Sequence, residues 1–431
     1  MPAWYLGASC VFLGGILGCR YAVESYQDPE TIQSGILTAL GFTLVILAVI
    51  YQATSTGFGF GRYRTPAVIG AFLLIVAFML IVSDPRQFSI AEWAVFGCFV
   101  VLAGIYVMRT LAFHPTSAQA RWPLWSMIVM GSSLFVIPNL VPERIFLWFL
   151  SRLAAVVVLL GLVTYVVGDY TVWIFEIQQW PDSPSVPGID TDASTLRSIF
   201  PNPNSFGLLS FAGFIAAFVE FHRSVVARRP LGALTTLVLT GICGLGLFLS
   251  NARAAMLGAA VAAAIYAVYA VGGRITVPIT VIAGSLGVCG LLVGMYTNVI
   301  DISATNRFEL WRGSLAAFRD GPLLFGHGNL SPNNAIEPYL AGDLSTSPHN
   351  SYLSILVQTG IVGGLAYFGI VAGSIVAGLI NFRDVNVAML ALAIGWAVHQ
   401  MFESYTLFRW SLGAVIATMT IGYLLQGVRS N

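Results

Sequence analysis

The sequence predicts an all-α polytopic membrane helical bundle of about twelve transmembrane helices, with thirteen as the alternative. Three observations carry that expectation. The chain has 431 residues, 57% apolar and 9% charged, with a mean hydropathy of +0.82. A soluble domain carries about 25% charged residues, so this chain has too little charge to coat a surface in water. All 20 basic residues are arginine, set against 19 acidic ones, and no basic tail or patch points to nucleic acid. Finally, apolar runs of the length that crosses a hydrocarbon core, about 20 residues, recur along the chain.

Those runs lie near 3–19, 32–51, 66–83, 90–113, 206–222, 231–249, 254–271, 275–297, 351–380, 386–402 and 407–425. The first lacks a basic leader and a cleavage site, so it reads as a span and not a removable signal. Between 122 and 167, Pro138, Asn139, Pro142, Glu143 and Arg144 interrupt two apolar runs, leaving one crossing plus a surface piece, or two crossings. Cytoplasmic loops collect positive charge. That rule places Arg429, Arg383, Arg274 and the cluster Arg223, Arg228 and Arg229 inside, and likewise Arg62, Arg64, Arg109 and Arg121. The acidic loop 20–31, the stretch 168–205, the turn Ser250 to Arg253 and the stretch 298–350 then lie outside. Both termini come out cytoplasmic if 122–167 crosses once. The chain reads as one membrane domain over 1–431, with spans in 1–167, an outer loop at 168–205, spans in 206–297, a large outer loop at 298–350 and spans in 351–425. Cys10, Cys19, Cys98, Cys243 and Cys289 sit in or beside apolar runs without a Cys-x-x-Cys pair, as small buried hydrophobes. No inverted pair of broken spans is visible, which counts mildly against a secondary transporter.

The larger outer loop opens with a helix. Asn306 can cap it, with Glu309 in capping-box position. Phe308, Trp311, Leu315 and Phe318 recur at helical spacing on one face, with Arg307, Arg312 and Arg319 elsewhere. Such a helix suits the headgroup layer, either as a plain anchor or as a substrate-binding element. Gly321 to Gly328 is turn-rich and holds His327 as a structural or exposed residue, while Asn329-Leu330-Ser331 matches the N-glycosylation acceptor pattern, weakened by Pro332. The loop closes on Ser347-Pro348-His349-Asn350-Ser351-Tyr352 before a long apolar helix. Serine is a good cap and proline suits a first helical turn. His349 is then expected at a helix N-terminus, where unpaired N–H groups favour an anion. An imidazole there can take a proton from a hydroxyl. A histidine that only completes its own cap explains the pattern equally well.

Two further outer arginines, Arg253 and Arg197, stand against the positive-inside bias. Arg253 follows Ser250 and Asn251 in a turn barely three residues long, where burying a guanidinium is costly unless an anion pairs with it. Arg197 lies just ahead of Phe200-Pro201-Asn202-Pro203-Asn204-Ser205. An arginine fork matches phosphate oxygens, whereas headgroup snorkelling explains any one arginine taken alone. Asp190-Thr191-Asp192 has the spacing with which metal-dependent sugar transferases hold a divalent cation, yet its Pro, Gly and Ser surroundings favour a solvated loop. His399 and Glu403, four apart on one expected helix face, form a polar contact within the bundle or line the site.

Several of these segments together resemble the O-antigen ligase and polymerase superfamily. They are Ser347-Pro348-His349-Asn350-Ser351-Tyr352-Leu353 with Gln358-Thr359-Gly360-Ile361-Val362-Gly363, and Asn306-Arg307-Phe308-Glu309-Leu310-Trp311-Arg312 followed by Arg319-Asp320-Gly321-Pro322-Leu323-Leu324-Phe325-Gly326. Ser250-Asn251-Ala252-Arg253 is similar to the family's Ser-Arg turn, here with two residues between the pair, and Asn202-Pro203-Asn204 to the segment opening the preceding helix. The resemblance covers roughly 197–405. It implies a GT-C-like fold and an inverting glycosyltransferase that needs neither metal nor cofactor. Such an enzyme moves a glycan from a polyprenyl-diphosphate carrier to a lipid or glycan acceptor hydroxyl at the extracytoplasmic face of the plasma (inner) membrane. By matching position His349 is the expected general base, and Arg253 and Arg197 bind the diphosphate. Asn350, Arg307, Arg312 and Asn204 complete the expected substrate contacts. A polymerase of the same fold uses the same donor chemistry. A lipid-linked oligosaccharide flippase or a purely structural membrane subunit are the readings from other classes. A transporter should hold its charges at the midplane, whereas here they cluster at helix ends.

Overall fold

The computed structural model describes residues 30–52, 70–77, 88–113, 127–172, 175–181, 185–186, 189–190, 194–297, 307–328, 332–340, 347–405 and 411–427. Several expectations lie outside them: the span 3–19 with Cys10 and Cys19, most of the loop 20–31, Arg62, Arg64, Arg121, Arg429, Asn306, Asp192 and the segment 329–331. The described chain is mostly helical and falls into two compact units. Six of its helices are long and apolar enough to cross a membrane, and five more apolar helices are shorter.

The first unit comprises Met1–Arg86, Ser132–Ala259 and Trp410–Tyr423. Its helices are α1 (Glu30–Gln52), the later turns of α3 (Met127–Leu140, π-helical over Ser132–Val136), α4 (Glu143–Val167), α5 (Pro203–Val226), α6 (Pro230–Leu249), the start of α7 (Arg253–Gly272) and most of α13 (Leu412–Gln426). Helices α4, α5 and α6 meet through small residues. A Cβ on Gly213 would overlap Ala154 and stand 3.1 Å from the Cys243 sulfur. Close backbone approach of this kind is what drives helices together in lipid, where apolar burial alone gives little. Two ion pairs join α4 and α5: Glu143 with Arg223 at 3.0 Å, and Arg152 with Glu220 at 3.0 Å. Ser151 adds a hydrogen bond of 2.7 Å to the Glu220 carboxylate.

The stretch 168–205 departs from the all-α expectation. Strands β1 (Tyr170–Val172), β2 (Phe175–Trp180) and β5 (Thr195–Ser198) form an antiparallel sheet in the order β1-β2-β5, and β3 (Ser185–Val186) pairs with β4 (Ile189–Asp190). Phe175-Glu176-Ile177-Gln178 alternates apolar and polar residues, the pattern of a half-buried strand, and the register shifts between Gln178 and Gln179. Ile177 and Leu196 are buried, and the Ser198 hydroxyl donates to the Val157 carbonyl at 2.8 Å, tying the sheet to α4.

The second unit comprises Gln87–Gly131, Ala260–Arg409 and Leu424–Asn431. It holds α2 (Ile90–Phe113), most of α7, α8 (Thr276–Tyr296), α9 (Arg307–Asp320), α10 (Pro332–Ile336), α11 (Ser351–Ile380) and α12 (Val387–Gln400). Helix α2 opens on a reciprocal capping box, with Ser89 Oγ accepting from the Glu92 amide and Glu92 accepting from the Ser89 amide. It runs antiparallel to α11: Cys98 lies against Gly369, Leu102 against Gly363, and the Tyr106 hydroxyl donates to Gln358 at 2.7 Å. Arg109 donates to the Gly326 carbonyl. Arg109 therefore lies at the same end of this unit as the turn Pro322–Gly328, whereas the sequence placed it and the stretch 298–350 on opposite sides. Its guanidinium is held by a loop carbonyl.

Helix α11 is broken at Gly360, whose φ is +67°. In an unbroken helix the amides of Ile361 and Val362 would donate to the carbonyls of Val357 and Gln358. Here they donate to Leu323 and Leu324 at 2.8 and 3.2 Å, while the two carbonyls accept from His327 and Gly328 at 2.8 Å each. The turn Pro322–Gly328 thus replaces the bonds lost at the break. Helix α9 buries Leu310, Gly313, Ser314 and Ala317, so its protein-facing stripe runs beside the aromatic one, and Leu315 is exposed.

Candidate functional site

Helix α11 starts at Ser351. Its cap is Asn350, whose side-chain oxygen accepts from the Leu353 amide at 3.0 Å, not Ser347 as the sequence suggested. His349 stands one residue ahead of the cap with φ +44°, a conformation uncommon for any residue with a side chain. Strain of this kind persists only where the surroundings hold it. Arg307, at the first turn of α9, provides that hold: its guanidinium donates to the carbonyls of Phe402 and His349 and lies 3.9 Å from the Glu403 carboxylate.

The turn after α12 supplies the opposing wall. Ser351 Oγ donates to the carbonyls of Glu403 and Tyr405 at 2.6 and 2.8 Å, and the Asn350 amide donates to Ser404 Oγ at 3.0 Å. Those bonds fix Glu403 so that its carboxylate lies 3.8 Å from His349 Nδ1. This Nδ1 is buried without a hydrogen-bond partner, although the side chain as a whole is 34% exposed. The exposed part of the ring therefore lies away from Glu403. Because α12 ends at Gln400, Glu403 is not on the helix face of His399. His399 is buried and shares a 3.0 Å hydrogen bond with Tyr405, whose hydroxyl burial pushes well above the usual phenol range.

The first unit holds the other two arginines. In β5, Arg197 donates to Gln178 and, at 3.1 Å, to the Pro201 carbonyl, and it stacks 5.3 Å over Trp180. All three are neutral groups, and Arg197 Nε is buried without a hydrogen-bond partner. Asn202 caps α5 by accepting from the Ser205 amide at 2.8 Å, and Asn204 is exposed in the first turn. Ser250 and Ala252 are buried against α5 at Gly207, where a Cβ would stand 2.6 Å from Ser250 Oγ. Asn251 takes φ +51° to make the turn. Arg253 itself is exposed, so the tight turn reflects helix packing and not a buried guanidinium. The segment Pro201 to Gly207 touches both the Arg197 side chain and the Ser250–Ala252 turn.

His349, Asn350 and Arg307 thus gather in one unit, and Arg197, Asn204 and Arg253 belong to the other. Arg312 is exposed on α9. The side chain of Asn350 serves the helix cap, which is a structural use. Sequence reasoning missed Gln178, Trp180, Ser351 and Ser404, for which only proximity in space gives a signal. His327 ties the loop together, contacting the Ala317 carbonyl at 2.9 Å. Among the described residues no group of three or more His, Cys, Asp or Glu is placed to hold a metal ion.

Apolar spanning helices define a helical membrane protein. Residues 236–368 match the O-antigen ligase family, which bears out the resemblance to the O-antigen ligase and polymerase superfamily over that stretch. A comparison with curated proteins finds no match to this chain.

Proposed function

We propose that the protein is an O-antigen ligase-like glycosyltransferase of GT-C type. It takes a glycan from a polyprenyl-diphosphate carrier and attaches it to an acceptor hydroxyl at the extracytoplasmic face of the inner membrane. His349, through the ring nitrogen that faces away from Glu403, removes the acceptor proton. The acceptor oxygen attacks the anomeric carbon from the face opposite the carrier. The bond from that carbon to the diphosphate oxygen breaks with inversion, and its electron pair leaves on the diphosphate. Arg253 and Arg197 bind that leaving group, and preplaced guanidinium groups stabilise its growing charge. Arg307 braces His349 and Glu403, and Arg312, Asn204 and the end of α11 at Asn350 are the further substrate contacts.

The observation that carries this reading is the pairing of His349 Nδ1 with Glu403 at 3.8 Å, where His349 alone lies in the stretch that matches the ligase family. A carboxylate behind an imidazole favours the tautomer with the proton on the facing nitrogen, leaving the other free to act as base. Hydrogen bonds of this type are often long before substrate arrives. The test is transfer by His349→Ala in membranes where expression and insertion match the wild type. Loss of transfer supports the assignment, and wild-type transfer removes it. Product analysis separates the two activities of the superfamily: glycan on a new acceptor means a ligase, and longer glycan on the same carrier means a polymerase.

A further inference from the structure

We infer that the turn Pro322–Gly328 is a lipid-inserted wedge, with Leu323, Leu324 and Phe325 seated in the phospholipid interface of the membrane. This goes beyond the transfer reading and rests only on the chain being a membrane protein. The three side chains are consecutive, large and exposed, at 45%, 58% and 38%. They form no isolated patch. The carbonyls of Leu323 and Leu324 bond directly to Ile361 and Val362, where the exposed apolar stripe of Ile361, Leu365 and Phe368 begins on the second half of α11. The wedge is therefore continuous with a surface that has the character of a lipid-facing helix.

Irregular backbone is tolerated at membrane depth only if its polar groups are satisfied internally. The exchange of bonds across the Gly360 break does that for the amides of Ile361, Val362, His327 and Gly328 and the carbonyls they meet, and the Gly326 amide donates to the Pro322 carbonyl. The turn is also closely packed against α11. Gly326 and Gly360 both take positive φ, and a Cβ on either would stand 2.5 Å from main-chain atoms of the other segment. Arg109 closes the apolar span of α2 beneath it and bonds to Gly326, the position of a side chain reaching for the headgroup layer. On this account the membrane-crossing part of α11 is 361–380, about the 20 residues a span needs. The preceding segment 351–359 then lifts His349 clear of the bilayer by up to roughly 13 Å.

The test places the photoreactive residue p-benzoylphenylalanine at Leu324, and separately at Leu323, in the full-length protein in nanodiscs of tritiated phosphatidylethanolamine and phosphatidylglycerol without glycan donor. The same residue at Leu365 and at Arg319, whose side chain is 77% exposed, gives the lipid-facing and water-facing references. After irradiation, tritium on the Leu323 and Leu324 proteins should lie within about twofold of Leu365 and at least about fivefold above Arg319, as expected of apolar side chains seated at the headgroup and acyl boundary. Incorporation at the Arg319 level, or cross-linking to a second copy of the chain without lipid, would overturn the proposal.

Discussion

His349 is held in a left-handed conformation by its own carbonyl bond to Arg307, and its buried nitrogen looks at Glu403. A positioned base contributes about 10²–10⁴-fold, so His349→Ala should lower turnover by that factor in a donor-consumption assay. Glu403→Gln keeps the shape but weakens orientation of the ring. We expect turnover to fall by about tenfold with the donor KM unchanged, and little further loss when it is added to His349→Ala, because residues acting as a unit are not additive. Arg253→Ala should instead raise the donor KM, and an unchanged KM and turnover would remove its diphosphate role. His349 was legible as a polar residue at the start of an apolar helix. Its partner was not, because the end of α12 at Gln400 separates Glu403 from the helix on which its spacing from His399 placed it. The short turn before Arg253 suggested a buried guanidinium, whereas the crowding belongs to Ser250, Ala252 and Gly207.

At the scale of elements, the junction of α11 with the turn Pro322–Gly328 organises the second unit. Two segments that stand apart in the sequence, each ending in a glycine, are the two sides of one joint. Gly360→Ala should destabilise the protein by more than about 2 kcal/mol, from left-handed strain plus overlap with main-chain atoms that cannot move aside. Thermal unfolding in detergent measures this, and a midpoint equal to the wild type would contradict the geometry. Reporter insertions after Phe113 and after Asp320 should report the same side of the membrane, since Arg109 and Gly326 are bonded. Opposite sides would exclude the antiparallel packing of α2 and α11. The sequence showed the helices through length and apolarity, but not their pairing. It also hid the β1-β2-β5 sheet, whose strands are short and of which β2 and β5 are separated by proline-rich chain.

For the whole molecule, scarcity of charge is the property from which the rest follows. Only 9% of residues are charged, and several of the ionised side chains in the described helices have a visible use: Arg152 with Glu220 and Arg223 with Glu143 pair helices, and Arg307 braces the turn at Glu403. The family match over 236–368 covers the Ser250–Arg253 turn, α9, the wedge and His349, but not Arg197 or Glu403. Those two lie outside the match, Arg197 ahead of it and Glu403 beyond it. The central claim, glycan transfer from a lipid diphosphate with His349 as base, is tested most directly by one comparison. Purified wild type and His349→Ala in nanodiscs would be given a polyprenyl-diphosphate-linked glycan and an acceptor, with release of the carrier diphosphate and the fate of the glycan followed together. The account predicts inverted glycosidic product and stoichiometric carrier diphosphate from the wild type alone. Equal product from both proteins, or none from the wild type with any glycan or lipid acceptor, would contradict it.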